Sequence, residues 1–325
     1  MSAWPIDLDD VLAARARIAP YLVPTPLRSY APLDAVVGHG VRVMVKHENH
    51  NPTNTFKIRN GLSVMTALSE TERRKGVVAA TRGNHGLGVA WAGRSLGSPV
   101  SICVPRGNNP EKNEAMRGLG ATLHEEGRDY DEAVEVAERL VREKGMRMVH
   151  STNEPLVIAG AGTFTLEILE QDEEIDTLVL GVGGGSQAVG AMTVARARRP
   201  ALRVFGVQAE RAAAAHDSWH ARRPIAKESA DTFADGLATR QSYALTFPAL
   251  LEGLAGFITV SEKEIAAAVR LVIRTTHNLV EGAGAVGVAA LLKLGPQLAG
   301  RKVGIVLSGS NIDEATLRRV VTGEI

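Results

Sequence analysis

Lys57 is the residue of this 325-residue chain best placed to do chemistry. It follows the polar turn Asn49-His50-Asn51-Pro52-Thr53-Asn54-Thr55 and lies between Phe56 and Ile58, where a helix reads over 57–68. The N-terminal end of a helix is the positive end of its dipole, a poor place for an ammonium. Apolar neighbours and that dipole both lower an amine's pKa, which favours a neutral, nucleophilic amine. The ordinary alternative is a solvated surface lysine.

Three further turns each follow an apolar run. Val77–Ala80 leads into Thr81-Arg82-Gly83-Asn84-His85-Gly86, where backbone N–H groups at a helix start can hold a carboxylate. The run 177–180 leads into Gly181-Val182-Gly183-Gly184-Gly185-Ser186-Gln187. Three consecutive glycines let the backbone close on an anion, a phosphate above all. The spacing Gly181-x-Gly183-x-x-Ser186, with Glu210 ending the next strand, also brushes a dinucleotide-binding pattern. No Gly-Lys-Ser/Thr follows, so a P-loop is excluded. The run 304–307 ends in Ser308-Gly309-Ser310-Asn311, which presents a hydroxyl at a strand end. Ala234-Asp235-Gly236 and Glu281-Gly282-Ala283-Gly284-Ala285 are also unusual.

The elements that must carry these turns alternate. Strands read over 41–45, 76–80, 100–104, 122–124, 146–149, 177–180, 203–207, 257–260 and 303–307. Helices read over 57–68, 87–96, 111–119, 130–143, 162–169, 187–198, 285–294 and 314–321. Ser261 and Glu264 form a capping box that opens another, to about residue 275. Near-continuous apolar strands alternating with helices predict an α/β fold with parallel sheets covered on both faces. Ligands in such folds sit beyond the carboxyl ends of strands, which is where all these turns lie. Residues 211–246 are the least regular and are expected to hold long loops over a site.

Composition narrows the class. Apolar residues make up 45% and charged residues 22%, as in soluble globular proteins. The net charge is +1 and aromatics are 4%, so neither nucleic acid nor an anionic membrane has support as a partner. No run approaches the roughly 18 apolar residues of a membrane span, and no signal-peptide pattern opens the chain. A cytoplasmic enzyme is expected. The one cysteine, Cys103, cannot form an internal disulfide or a cysteine zinc site, and no metal site is expected.

Taken in order, the four turns resemble those of fold type II pyridoxal-phosphate (PLP) enzymes, and most of all the serine/threonine dehydratase (threonine ammonia-lyase) group, which also contains serine racemase. The resemblance runs from Thr25-Pro26-Leu27 to Ser308-Gly309-Ser310-Asn311. It implies a two-domain fold like that of the tryptophan synthase β-subunit. Residues 1–48 and 154–325 would form a large PLP-binding domain and 49–153 a small substrate-loop domain. It implies that Lys57 bonds PLP covalently and, once freed, takes the α-proton, that Phe56 packs near the cofactor and that Asn84 hydrogen-bonds the ring hydroxyl. Gly183, Gly184, Gly185, Ser186 and Gln187 would hold the phosphate. Ser308 would face the ring nitrogen and Glu281 would lie near the ring. Thr81, Arg82, Gly83 and His85 would receive the substrate carboxylate, and Asp235 and Gly236 would border the pocket. The implied reaction is β-elimination from a β-hydroxy-α-amino acid to a 2-oxo acid and ammonia, by a homodimer.

Four departures from the group's pattern matter. Ser186 and Gln187 stand where a fourth glycine and an apolar residue are usual. Thr81-Arg82 replaces two serines, the second being the racemase's opposite-face base; a guanidinium does not shuttle protons at neutral pH. We therefore expect little racemisation, and an Arg82 turned inward onto the cofactor phosphate or a substrate carboxylate. Gln208 stands where the racemase's cation site has an acid. The sequence ends one helix after Ser308, so feedback inhibition through a C-terminal regulatory domain is not expected. Threonine and serine are the default substrates; Arg82 would also suit 3-hydroxyaspartate, and phenylserine stays open. The competing readings are a β-replacement synthase of the cysteine synthase kind and a nicotinamide-dependent dehydrogenase. The latter leaves Lys57 and Ser308 without a role, and a non-catalytic binding protein has no use for Lys57.

Overall fold

The structure is a computed structural model that describes residues 3–128 and 130–325. Among the described residues ten strands form two sheets. Their ranges are β1 (Leu27–Ser29), β2 (Arg42–Lys46), β3 (Val77–Ala80), β4 (Val100–Val104), β5 (Thr122–Glu125), β6 (Arg147–Met148), β7 (Thr177–Gly181), β8 (Arg203–Ala209), β9 (Gly256–Val260) and β10 (Lys302–Val306). The larger sheet runs β1-β2-β10-β7-β8-β9 and the smaller β5-β4-β3-β6.

Every pairing is parallel except β1 with β2, at the sheet's edge. Period-two alternation buries both faces. On β7, Val179 packs with the helices Glu262–Thr276 and Gly282–Leu294, while Leu178 and Leu180 pack with Pro155–Gln171 and Ser186–Arg198. On β3, Val77 and Ala79 join one core while Val78 and Ala80 join another, with Cys103, beneath the helix Tyr130–Lys144.

The α/β architecture with helix-covered sheets is as the sequence predicts. The antiparallel β1 is an addition, three residues long and too short to show a period. Three helices begin well before their periodicity suggests, and one of them, Asn84–Leu96, starts three residues early on the turn itself. Pro155 takes the first position of Pro155–Gln171, where its missing N–H costs nothing, and Glu154 caps it. Gly282–Leu294 starts three residues before its apolar run; Glu281 takes the N-cap position, and its carbonyl accepts from the Gly284 and Ala285 N–H groups. The stretch 211–246 includes one α-helix, Ala214–Ala221, with a 3-10 turn, Asp235–Leu237, in the otherwise irregular chain after it.

Three close approaches tie the site together. Thr55 pairs with Gly309 in an isolated antiparallel bridge, and Phe56 N–H donates to Ser308 C=O at 2.9 Å. The turn of Lys57 is therefore stitched to the end of β10. Gly88 lets the helix Asn84–Leu96 press on the Lys57 carbonyl, since a Cβ there would lie 2.3 Å from that oxygen.

Candidate active site

Lys57 begins the helix Lys57–Met65. Two residues on, Arg59 is fully buried, and its guanidinium grips two carboxylates at once. It donates to Glu48 at 2.7 and 2.9 Å and to Glu167 at 2.6 and 2.9 Å. Lys46 Nζ completes the set at 2.6 Å from Glu167, so two cations meet two anions. Thr25 and Asn51 add hydrogen bonds to Glu48. A buried network is stable only when every member is satisfied, as here. It anchors the Lys57 helix to the chain after β2 and to Pro155–Gln171.

The Lys57 amine has no such partner. Among the described residues no carboxylate pairs with it, and it lies 4.8 Å from the centre of the Phe56 ring. Desolvation alone lowers its pKa to about 8.

The other turns converge on the same cleft. Phe56, Lys57, Asn84, Gly183, Gly184, Gly185, Ser186, Gln187, Gly236, Glu281 and Ser308 all line it. The glycine turn has no spare room. A Cβ on Gly183 would lie 2.3 Å from Gly236 O, and one on Gly184 1.9 Å from Thr152 Oγ1. Gly185 has φ of +99°, a left-handed conformation that favours glycine. The first N–H groups of the helix Ser186–Arg198 have no partner within the helix and sit at its positive end. Ser308, at the end of β10, is buried.

Asn84 links three segments: its amide donates to Glu281 at 2.6 Å and its oxygen accepts from Asn311 at 2.8 Å. Glu281 is buried; desolvation raises its pKa, Lys112 lowers it and Asp235 raises it. Thr81 Oγ1 accepts from Gly83 N–H at 2.9 Å and shapes the turn. His85 is buried, with Nε2 set 2.8 Å from Val149 C=O. A carbonyl only accepts, so Nε2 carries the proton. Desolvation, then Lys57, lowers the His85 pKa to about 3, and the ring is neutral.

Thr81, Arg82, Gly83, Asn84 and His85 also line a cavity that holds Lys57, Asp235 and Gly236. Every residue expected in the site thus lines one of two adjoining cavities. Arg82 differs from expectation in its orientation. It is exposed, and among the described residues no anion lies within ion-pair distance. Burying an unpaired guanidinium would forfeit its hydration, so it stays at the mouth.

Sequence reasoning missed Lys112. Its Nζ lies 2.8 Å from Asp235 Oδ2, although the lysine is buried. The signal was faint: on the polar helix Pro110–Gly118 it shares a buried face with Met116, four residues on. Its stem packs on Gly83, where a Cβ would lie 2.5 Å from Lys112 Cδ. Tyr130, Ser151, Thr152 and Tyr243 also line the inner cavity and carried no motif. Glu210, the acid of the dinucleotide reading, is exposed beyond β8 and lines neither cavity of the site.

Comparison with known proteins agrees with this geometry. The chain is 38% identical over 97% of its length to an L-threonine ammonia-lyase of Thermotoga maritima, covering 78% of that protein. It is 33% identical over 94% of its length to an L-threo-3-hydroxyaspartate ammonia-lyase of a Pseudomonas species, covering 95% of that protein. Among solved structures, maize serine racemase superposes with a TM-score of 0.93 at 32% identity, covering 99% of this chain and 98% of that one. A threonine deaminase of T.th. superposes with a TM-score of 0.89 at 36% identity, covering 95% and 99%. The nicotinamide reading is set aside by the family model that matches residues 18–309: the chain belongs to the pyridoxal-phosphate-dependent enzymes, in their ammonia-lyase and dehydratase branch.

Proposed function

We propose that this enzyme eliminates water across the Cα–Cβ bond of a β-hydroxy-α-amino acid, with threonine and serine as the reference substrates. Hydrolysis of the resulting enamine takes up one water and releases a 2-oxo acid and ammonia, so that ammonia alone is lost overall. The observation that carries the reading is the Lys57 amine, desolvated and without a carboxylate partner, on the same cleft as the three-glycine turn. The ammonia-lyase relatives support it.

The residues suit PLP. A glycine cradle that any Cβ would fill leads into a helix N-terminus, the arrangement a phosphate needs. Gly183, Gly184, Gly185, Ser186 and Gln187 would hold that phosphate, and Lys57 Nζ would bond the cofactor covalently. Phe56 would pack beside the ring, Asn84 would donate to its hydroxyl, Ser308 would meet its nitrogen, and Glu281 would complete the wall. When bound, PLP supplies an electron sink for cleavage at the α-carbon.

The chain's own residues then divide the work. Lys57 Nζ, partly neutral near pH 7 because of its lowered pKa, takes the α-proton. The turn from Thr81 through His85, with the first N–H groups of Asn84–Leu96, orients the substrate carboxylate. Ser308 offers a neutral hydroxyl, which does not hold a ring nitrogen protonated as an aspartate would. That suits direct β-elimination over transamination. Arg82, in place of the racemase serine, moves no proton, so racemisation is slow. We further propose the two domains 1–48 with 154–325 and 49–153, and a homodimer working in the cytoplasm.

The test is 2-oxo acid release from threonine, serine, 3-hydroxyaspartate and phenylserine, with Lys57→Ala as control. At least one substrate should turn over, and the variant should be inactive yet folded. No release from any of them, or a variant near the wild-type rate, contradicts the proposal.

A further inference from the structure

The inner cavity, which holds Lys57, has a volume of about 120 Å³ and opens into a larger one of about 430 Å³. Arg82, Tyr130, Ala238, Thr239 and Tyr243 line both, so the two share one neck. The charges along this path are uneven. In the inner cavity Asp235 is matched by Lys112 at 2.8 Å. Among the described residues the outer cavity is lined by Arg82, Lys227 and Arg240 and by no acidic side chain, and Arg240 already has a partner of its own. Lys227 is countered from outside the cavity by Asp217 at 2.5 Å. Arg82, exposed and without an ion-pair partner among the described residues, stands at the neck itself.

A threonine methyl would leave both the volume and the charge of the outer cavity unused. We infer that the preferred substrate is a β-hydroxy-α-amino acid whose side chain ends in an anion, and that Arg82 is the residue that selects it. Guanidinium presents paired donors to a carboxylate or phosphate, and at a cavity mouth it keeps part of its hydration until the anion arrives. This deepens the ammonia-lyase reading and rests on it.

The holoenzyme tests it with threo-3-hydroxyaspartate and threonine as paired substrates. The wild type should favour the dicarboxylic substrate in kcat/KM. Arg82→Gln should lower the ratio of the two kcat/KM values by about tenfold, the usual effect of one hydrogen bond to a charged group. Arg82→Lys should restore part of the ratio. Taking a ratio cancels any shared effect of the substitution on the turn. Calorimetric binding of succinate against propionate reads the same selectivity without turnover, and Arg82→Gln should erase most of the succinate preference. A wild type that prefers threonine or phenylserine, or a ratio unchanged in Arg82→Gln, overturns the inference. If no β-hydroxy amino acid is turned over at all, the ammonia-lyase reading fails, and succinate binding still decides the role of Arg82.

Discussion

Gly184→Ala isolates the shape of the phosphate cradle from its chemistry. The backbone at 184 is not in the left-handed region, so alanine is admissible there in isolation. The obstacle is contact. The new Cβ would lie 1.9 Å from Thr152 Oγ1, 2.8 Å from its Cγ2 and 2.9 Å from its Cβ. Carbon contacts are comfortable at about 3.5–4.0 Å, so the turn or Thr152 must move by an ångström or more. Thr152 is 3% exposed and Thr246 Oγ1 holds the Gly184 carbonyl at 2.7 Å, so neither yields freely. Overpacking costs about 1–3 kcal/mol, and a displaced hydrogen bond to a charged phosphate about 1.5–3 kcal/mol more. Part of the first cost falls on the apoprotein as well, which leaves roughly 2–4 kcal/mol on cofactor affinity, or about 30- to 700-fold in Kd. The assay is titration of the apoprotein with PLP, followed by the absorbance of the bound cofactor, with Tm as a check on folding. Thr152→Gly removes all three clashing atoms, so the double variant should regain much of the lost affinity. PLP binding by Gly184→Ala within about threefold of wild type would refute the reasoning. So would a double variant no better than Gly184→Ala.

Other consequences follow from single groups. PLP loading needs the neutral Lys57 amine, so its rate should rise with pH and level off above about 8. Levelling near the ordinary lysine value of about 10.4 would show an amine that is not desolvated. Lys112→Met leaves Asp235 without its 2.8 Å partner and should cost about 1–2 kcal/mol, less than a fully buried pair because Asp235 is half exposed. A Lys112/Asp235 double-mutant cycle with no coupling in urea unfolding would contradict this. Arg59→Met leaves Glu48 and Glu167 with Lys46 as the single cation of the network, and should lower stability by about 3–5 kcal/mol. Desolvation pushes the Glu48 pKa up, but Arg59, together with Lys46 and the Thr25 hydroxyl, outweighs it and holds the carboxyl below its ordinary value. The contribution of Glu48 is therefore complete above the unfolded carboxyl value of about 4.3 and is lost as pH falls through the depressed folded value. An Arg59→Met midpoint in urea close to wild type would remove the network from the account.

What could be read in advance was local. The turns at Lys57, Gly183 and Ser308 carry residue types whose reason lies within a few positions: a strand end, a helix start, a missing side chain. Parallel strands such as β7 and β10 announce themselves because both faces are buried. The partners across the molecule were not legible. Nothing near Arg59 in sequence points to Glu167, 108 residues away, and nothing near Lys112 points to Asp235, 123 residues away. Both pairs exist only because strand order and helix packing bring distant segments together. Short elements were hidden for another reason. β1 has three residues, and Leu8–Ile18 buries only Val11, Ala14 and Ile18 amid charges. Arg82 was placed on the right turn, but its orientation depends on solvation at a cavity mouth, which the order of residues does not express.

The central claim is that Lys57, and no other lysine, holds the cofactor and works in the elimination. Borohydride reduction of the holoenzyme followed by peptide mass mapping tests it most directly. The account predicts a single pyridoxyl modification at Lys57, obtained in proportion to PLP bound and blocked when substrate is turning over. Modification at Lys46, at Lys112 or at surface lysines with Lys57 untouched would contradict it.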